Sequence, residues 1–108
     1  MSVETSLDGS ALTAHLSGDI DHFTASGIRG EIDRAVRMNA VDLLTLDFSG
    51  VTFMDSSGVG LIMGRCKLMT QLGGKCRISS PPAYILKVLR LSGIDKLCPI
   101  VSDGGVRI

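Results

Sequence analysis

The sequence predicts an α/β fold, a single mixed β-sheet of about four to five strands with three main α-helices. Three observations point there. Two short stretches near the start alternate like paired strands. Apolar residues recur at helical spacing in three later segments. Strand-length apolar runs separate those segments, giving the order β β α β α β α β, which calls for helical crossovers beside a sheet. At 108 residues the chain has room for one core, so residues 1–108 are read as a single domain.

Residues 3–7 and 11–17 read as strands turning at Asp8-Gly9. In the second, Leu12, Ala14 and Leu16 face one way and Thr13, His15 and Ser17 the other. Residues 18–22 read as a polar loop. Thr24 is the expected N-cap of a helix to Met38, whose Ile28, Ile32, Ala35 and Val36 share one face. Residues 43–48 form a strand apolar on nearly every residue, as expected when both its faces are covered. A second helix is expected over residues 57–72, stopped by Gly73-Gly74. A strand follows at 75–79, and Ser80-Pro81-Pro82 opens a third helix that Gly93 ends. Residues 96–101 give a last short strand, and the remainder is a tail.

Composition removes several function classes. Eleven Lys and Arg balance eleven Asp and Glu, and no basic run or aromatic platform is present, so nucleic acid is not an expected partner. Met1-Ser2-Val3-Glu4 does not resemble a signal peptide, and no apolar stretch approaches the ~20 residues of a membrane span. A cytoplasmic protein without a membrane partner is expected. Cys66, Cys76 and Cys98 are odd in number, lack CxxC spacing and sit in apolar stretches, which reads as reduced, partly buried thiols.

The segment VTFMDSSGVGLIMGR passes from strand to helix through Asp55-Ser56-Ser57-Gly58. Catalysis explains it poorly. Neither serine has the flanking glycines of a nucleophile elbow, and the only imidazoles are His15, in a strand, and His22, in a loop. Gly73-Gly74-Lys75 lacks the ending of a P-loop, and Gly58, Gly60 and Gly64 miss the dinucleotide spacing. Asp19 and Asp21 alone make weak metal ligands. No catalytic residue, metal or cofactor is therefore assigned. Capping by Ser56 or Ser57, with Asp55 beside the positive helix end, explains the serine and the acid. It leaves unexplained the doubled serine and glycines that cost about 0.5–1 kcal/mol each inside a helix. A phosphoserine accounts for more, since a helix N-terminus favours an anion and the small neighbours admit a kinase.

In the same helix Val59, Ile62, Met63, Cys66 and Met69 form one apolar face, which Leu61, Leu68 and Leu72 widen. The extra leucines are expected either to meet the third helix or to lie partly exposed for a partner, with Arg65 among them.

At these residues the chain resembles the anti-anti-sigma factor family, the small STAS domains of bacterial partner switching. The resemblance rests on Phe53-Met54-Asp55-Ser56-Ser57-Gly58-Val59-Gly60 and continues through residues 61–68 and Leu72-Gly73-Gly74-Lys75. Gly18-Asp19-Ile20-Asp21-His22 matches a second signature, with Asp19 where glutamate is usual, and residues 89–94 match the end of the third helix. The core is most similar to the family's stage II sporulation branch. The resemblance implies a STAS fold and no enzymatic activity. It implies that the unphosphorylated form binds an anti-sigma factor that is also a serine kinase, freeing the sigma factor. Phosphorylation of Ser56 would end binding until a phosphatase resets it. Implied partner contacts are Asp19, Asp21, Asp55, Ser56, Ser57, Gly58 and Arg65. An antagonist of a general-stress anti-sigma factor, or a nucleotide- or ligand-binding STAS module, are the alternatives.

Overall fold

The computed structural model describes residues 2–102 and 105–108. Strands β1 (Ser2–Asp8) and β2 (Ala11–Ile20) pair antiparallel across the Gly9 turn. Helix α1 (Ala25–Met38) then leads to β3 (Leu43–Met54), α2 (Ser56–Gln71) to β4 (Lys75–Ser79), and α3 (Ala83–Ser92) with a 3-10 turn (Ile94–Lys96) to β5 (Ile100–Val101). The sheet order is β1-β2-β3-β4-β5. Every pair after the hairpin is parallel, because each helix carries the chain back to the starting edge. Gly73 and Gly93, both at φ near +80°, end α2 and α3 where a side chain would be strained.

Pleating sorts the strands. Leu12, Ala14 and Leu16 of β2 and Leu44, Leu46 and Phe48 of β3 are buried on one face. Against them pack Ile28, Ile32 and Val36 of α1, Ile62 and Met69 of α2, and Ile85 and Leu89 of α3, in one continuous core. Helix α1 lies by β1 and β2, and α2 by β3 and β4. The opposite face opens in a polar groove lined by Thr13, His15, Asp47, Arg77 and Ser79.

That groove corrects the expectation for β3. Its inner face is covered by helices, but Leu43, Thr45 and Asp47 point to the polar side. Strand β2 also runs three residues further than expected, to Ile20, so Asp19 belongs to a strand and not to a loop. Its polar residues look like a loop because their face of the sheet is solvated. The expected strand at 96–101 is mostly the 3-10 turn and a loop, with only Ile100 and Val101 paired. Helix α3 starts after the prolines, with Pro82 as its N-cap residue.

Candidate functional site

Register brings the two polar segments together. Ile20 pairs with Met54 at the ends of β2 and β3, and the Asp55 N–H donates to the Ile20 carbonyl at 3.2 Å. The β2–α1 turn therefore lies beside the start of α2. Asp55, the single residue between β3 and α2, is extended, and its Oδ1 accepts from the Ser57 N–H at 2.8 Å. The N-cap is thus Asp55, not either serine. An aspartate cap uses its charge as well as its lone pair at the positive helix end. Ser56, the first helical residue, is exposed with its hydroxyl outside the capping, whereas Ser57 is half-buried.

A parallel arrangement starts α1. Asp21 Oδ1 accepts from the N–H groups of Phe23 (2.9 Å) and Thr24 (3.0 Å), and the Asp21 N–H donates to Thr24 Oγ1 at 3.0 Å. Thr24 occupies the N-cap position, as expected, yet its hydroxyl turns back to the Asp19 carbonyl at 3.0 Å and caps no helical N–H. Asp21 holds the turn. Asp19 is exposed, and its Oδ1 accepts from Thr52 Oγ1 at 3.0 Å across the β2–β3 pair. The two carboxylates are each engaged in local hydrogen bonds.

The three glycines divide by role. A Cβ at Gly58 would collide with the Met54 side chain, so glycine there lets α2 seat on the end of β3. At Gly60 and Gly64 an added methyl meets nothing within 4 Å. Both line an open groove of about 340 Å³ between α1 and α2, together with His22, Arg29, Ser57 and Arg65. Beside it Phe23 stands 87% exposed, its ring edge-on to His22 at 5.6 Å between centroids. Phe23 and Arg29 escaped sequence reasoning. An aromatic residue inside an otherwise polar turn is the signal that points to Phe23.

Arg65 is not where the sequence reading put it. It is 6% exposed, and its Nε lies 2.9 Å from Asp33 Oδ1 of α1. The contact is an ion pair without hydrogen-bond alignment, since Nε and Nη1 have no hydrogen-bond partner among the described residues. Burial pushes the guanidinium pKa down, and Asp33 opposes that shift. Arg65 therefore ties α2 to α1 and does not offer its charge to the surface. The apolar face of α2 is also rotated from the expectation. Leu61 and Leu68 are buried with Ile62 and Met69, while Met63 and Leu72 are exposed. The ion pair and the leucines share the helix side that meets neighbouring elements.

His22 shares the α1–α2 groove with Ser57, whereas His15 is paired on the opposite face of the sheet. His15 Nδ1 is 2.8 Å from Asp47 Oδ2, and Ser6 Oγ is 3.1 Å from His15 Nε2. This hydroxyl–imidazole–carboxylate row crosses three strands, with His15 and Asp47 on the wall of the open polar groove. It ties the strands together as cross-strand pairs do. His22 makes no hydrogen bond to Ser56 or Ser57 among the described residues, and no helix of these residues is long and apolar enough to cross a membrane.

Residues 2–103 match the STAS domain family. An anti-sigma F factor antagonist of Paenibacillus polymyxa is 35% identical over 92 residues, which are 85% of this chain and 79% of that protein. The unphosphorylated anti-sigma factor antagonist SpoIIAA superposes with a TM-score of 0.80 at 27% identity, covering 95% of this chain and 90% of that one. The phosphorylated form of SpoIIAA from Bacillus gives 0.72 at 27% identity, over 95% and 94% of the two chains. The spacing of strand, Asp-Ser-Ser-Gly and helix, the capped junction and these matches agree: the chain belongs to the STAS domain family, among its anti-sigma factor antagonists.

Proposed function

We propose that this protein is the antagonist in a partner switch of the sigma-F type. Unphosphorylated, it binds an anti-sigma factor that is also a serine kinase, and so releases the sigma factor. The kinase transfers the γ-phosphoryl group of ATP to Ser56 Oγ, an O–P bond forming as ADP leaves and the hydroxyl proton passing to a base of the kinase. Phosphorylated protein dissociates, and a phosphatase restores the hydroxyl. The protein acts in the cytoplasm as a binding module and kinase substrate. It carries out no catalysis, needs no cofactor for the switch, and engages neither nucleic acid nor membrane.

The observation that carries this reading is the exposed Ser56 hydroxyl at the first position of α2, with Asp55 supplying the cap. A kinase can take that hydroxyl without opening the helix. Asp19, Asp21, Asp55 and Ser57 gather near it through the Ile20–Met54 pairing and form the proposed partner-facing end of the domain, whereas Gly58 is buried against Met54 and seats the helix. Phe23 supplies an apolar anchor beside them, the kind of exposed aromatic that dominates interface energetics. For Arg65 the buried pair with Asp33 favours a structural role.

The test is incubation with the cognate anti-sigma kinase and ATP, followed by intact mass and peptide mapping. Wild type should gain one phosphate at Ser56 and lose binding in calorimetry. Ser56→Ala should gain none and stay bound. Phosphate on Ser57 in the Ser56→Ala variant would move the site by one residue. Binding only to a general-stress anti-sigma factor would assign the other pathway.

A further inference from the structure

The three cysteines come from separate elements and meet. Cys66 lies on α2, Cys76 on β4 and Cys98 in the loop after the 3-10 turn, and all three are free thiols. Their sulfurs lie within 4.8 Å of one another. Spaced ten and then twenty-two residues apart, they show no motif in the sequence. We propose that Cys66, Cys76 and Cys98 form a three-thiolate site for a soft d10 cation, Cu(I) or Zn(II).

Geometry permits it. A triangle of sulfurs with 4.8 Å sides has its centre about 2.8 Å from each, so side-chain movements of about 0.5 Å reach the ~2.3 Å of a metal–thiolate bond. Cys76 and Cys98 are buried and Cys66 is half-buried. Cys66 and Cys76 also line a groove of about 470 Å³ with Thr70, Gly74 and Leu97, which gives an ion a way in. Cys98 closes the back.

The chemistry selects the ion. Thiolate sulfur favours Cu(I) and Zn(II) over hard cations such as Mg(II) or Ca(II). No His, Asp or Glu joins the cluster among the described residues. A Cu(I) ion is complete with three sulfurs, whereas Zn(II) takes a fourth ligand, which here is water from the groove. Binding displaces up to three thiol protons to solvent and changes no oxidation state. The buried Arg65 guanidinium lies within electrostatic reach of Cys66 and Cys76 and offsets the excess negative charge of three thiolates. A bound ion would pin α2, β4 and the Cys98 loop together.

The experiment uses the full chain, reduced and stripped of metal. Zn(II) is titrated against a colorimetric chelator in air, and Cu(I) against a Cu(I) chelator under anaerobic conditions. One ion per chain should compete with the chelator in at least one arm, and that arm names the metal. X-ray absorption should report three sulfur neighbours. At a hundredfold excess over Kd, that ion should raise Tm by about 10 °C. Cys66→Ser and Cys98→Ser should each weaken binding by about 10-fold or more. Cys66 is the more exposed position, so the folded state of Cys66→Ser, checked by circular dichroism, separates lost binding from lost structure. Failure of both ions to compete, fewer than three sulfur neighbours, or wild-type affinity in folded Cys66→Ser would overturn the site.

Discussion

Gly60 and Gly64 stand where glycine costs stability and the fold gains nothing from it. Each lies inside α2, where glycine is worse than alanine by about 0.5–1 kcal/mol. Each would place a methyl group in open space. The Gly60→Ala, Gly64→Ala double variant should therefore be more stable by about 1–2 kcal/mol, because neither added methyl meets another atom within 4 Å. For a domain of this size that is roughly 5–15 °C in Tm. The same two methyls project into the groove beside Ser57. If an anti-sigma factor seats a side chain or helix there, the variant should bind about 10-fold more weakly or worse, a loss of about 1.4 kcal/mol.

The assay pairs calorimetric unfolding with a titration of the unphosphorylated protein against the anti-sigma factor. Gly58→Ala serves as the contrasting control. Its methyl meets Met54, so it should destabilise by about 1–3 kcal/mol from overpacking. A double variant that is more stable yet binds like wild type would show that the groove is not the interface. A less stable one would refute the claim of open space itself.

Further predictions concern the caps, the buried pair and the polar face. Asp55→Ala should cost about 0.5–2 kcal/mol in denaturant unfolding, whereas Ser56→Ala should stay within about 0.5, because only Asp55 caps α2. Asp21→Ala should cost a similar 0.5–2 kcal/mol, since its carboxylate holds two backbone N–H groups; wild-type stability would return Asp21 to a purely partner-facing role. Arg65→Ala should destabilise by about 2 kcal/mol, less than the roughly 3–5 of a fully buried pair because Asp33 is partly exposed; a folded variant of normal stability that fails only in binding would contradict the structural role. Asp47 is raised by burial but lowered more by the Ser49 N–H and by His15, so its net pKa falls below the model-compound 3.8. The stability it contributes is full above that value and is lost as pH falls through the lower folded value, and Asp47→Asn should flatten this acid limb of a stability–pH curve.

The order of elements was legible because period and punctuation agree along most of the chain. Leu12, Ala14 and Leu16 alternate, Ile28, Ile32 and Val36 recur at helical spacing, and Gly73 and Gly93 sit where helices stop. What was not legible depends on partners distant in sequence. Arg65 looks like a surface residue until Asp33, thirty-two positions earlier, is placed against it by the packing of α1 on α2. Asp19 looks like a loop residue because polarity marks exposure and not backbone shape; pairing with β3 makes it a strand. The choice between Asp55 and the serines as cap turns on one residue of register, and all three side chains are good caps. The cysteine cluster exists only once α2, β4 and the last loop are assembled.

The division of labour at residues 55–57 bears on how a phosphate could switch binding while leaving the fold alone. Had Ser56 been the cap, esterifying its oxygen would have disturbed the hydrogen bond that starts α2. With Asp55 holding the Ser57 N–H, the helix keeps its start whatever happens to the Ser56 hydroxyl. A phosphate there adds roughly −1.5 to −2 charge. The positive helix end favours it, but Asp55 already carries a negative charge at that end, so attraction and repulsion oppose one another. The net effect on folding should be small. On the proposed reading a docked partner would have no such compensation, because its surface would fit an end that already presents Asp19, Asp21 and Asp55. The added charge and three oxygens fall at an exposed residue in the middle of that end, and the free-energy change is felt almost wholly by the complex. Ser56→Asp, with one charge and less bulk, should then weaken binding less than phosphate does. Amide spectra of the phosphorylated chain should change mainly around residues 19–24 and 55–60. Shifts spread across β4 and α3 would refute this local account and favour a rearrangement of the domain.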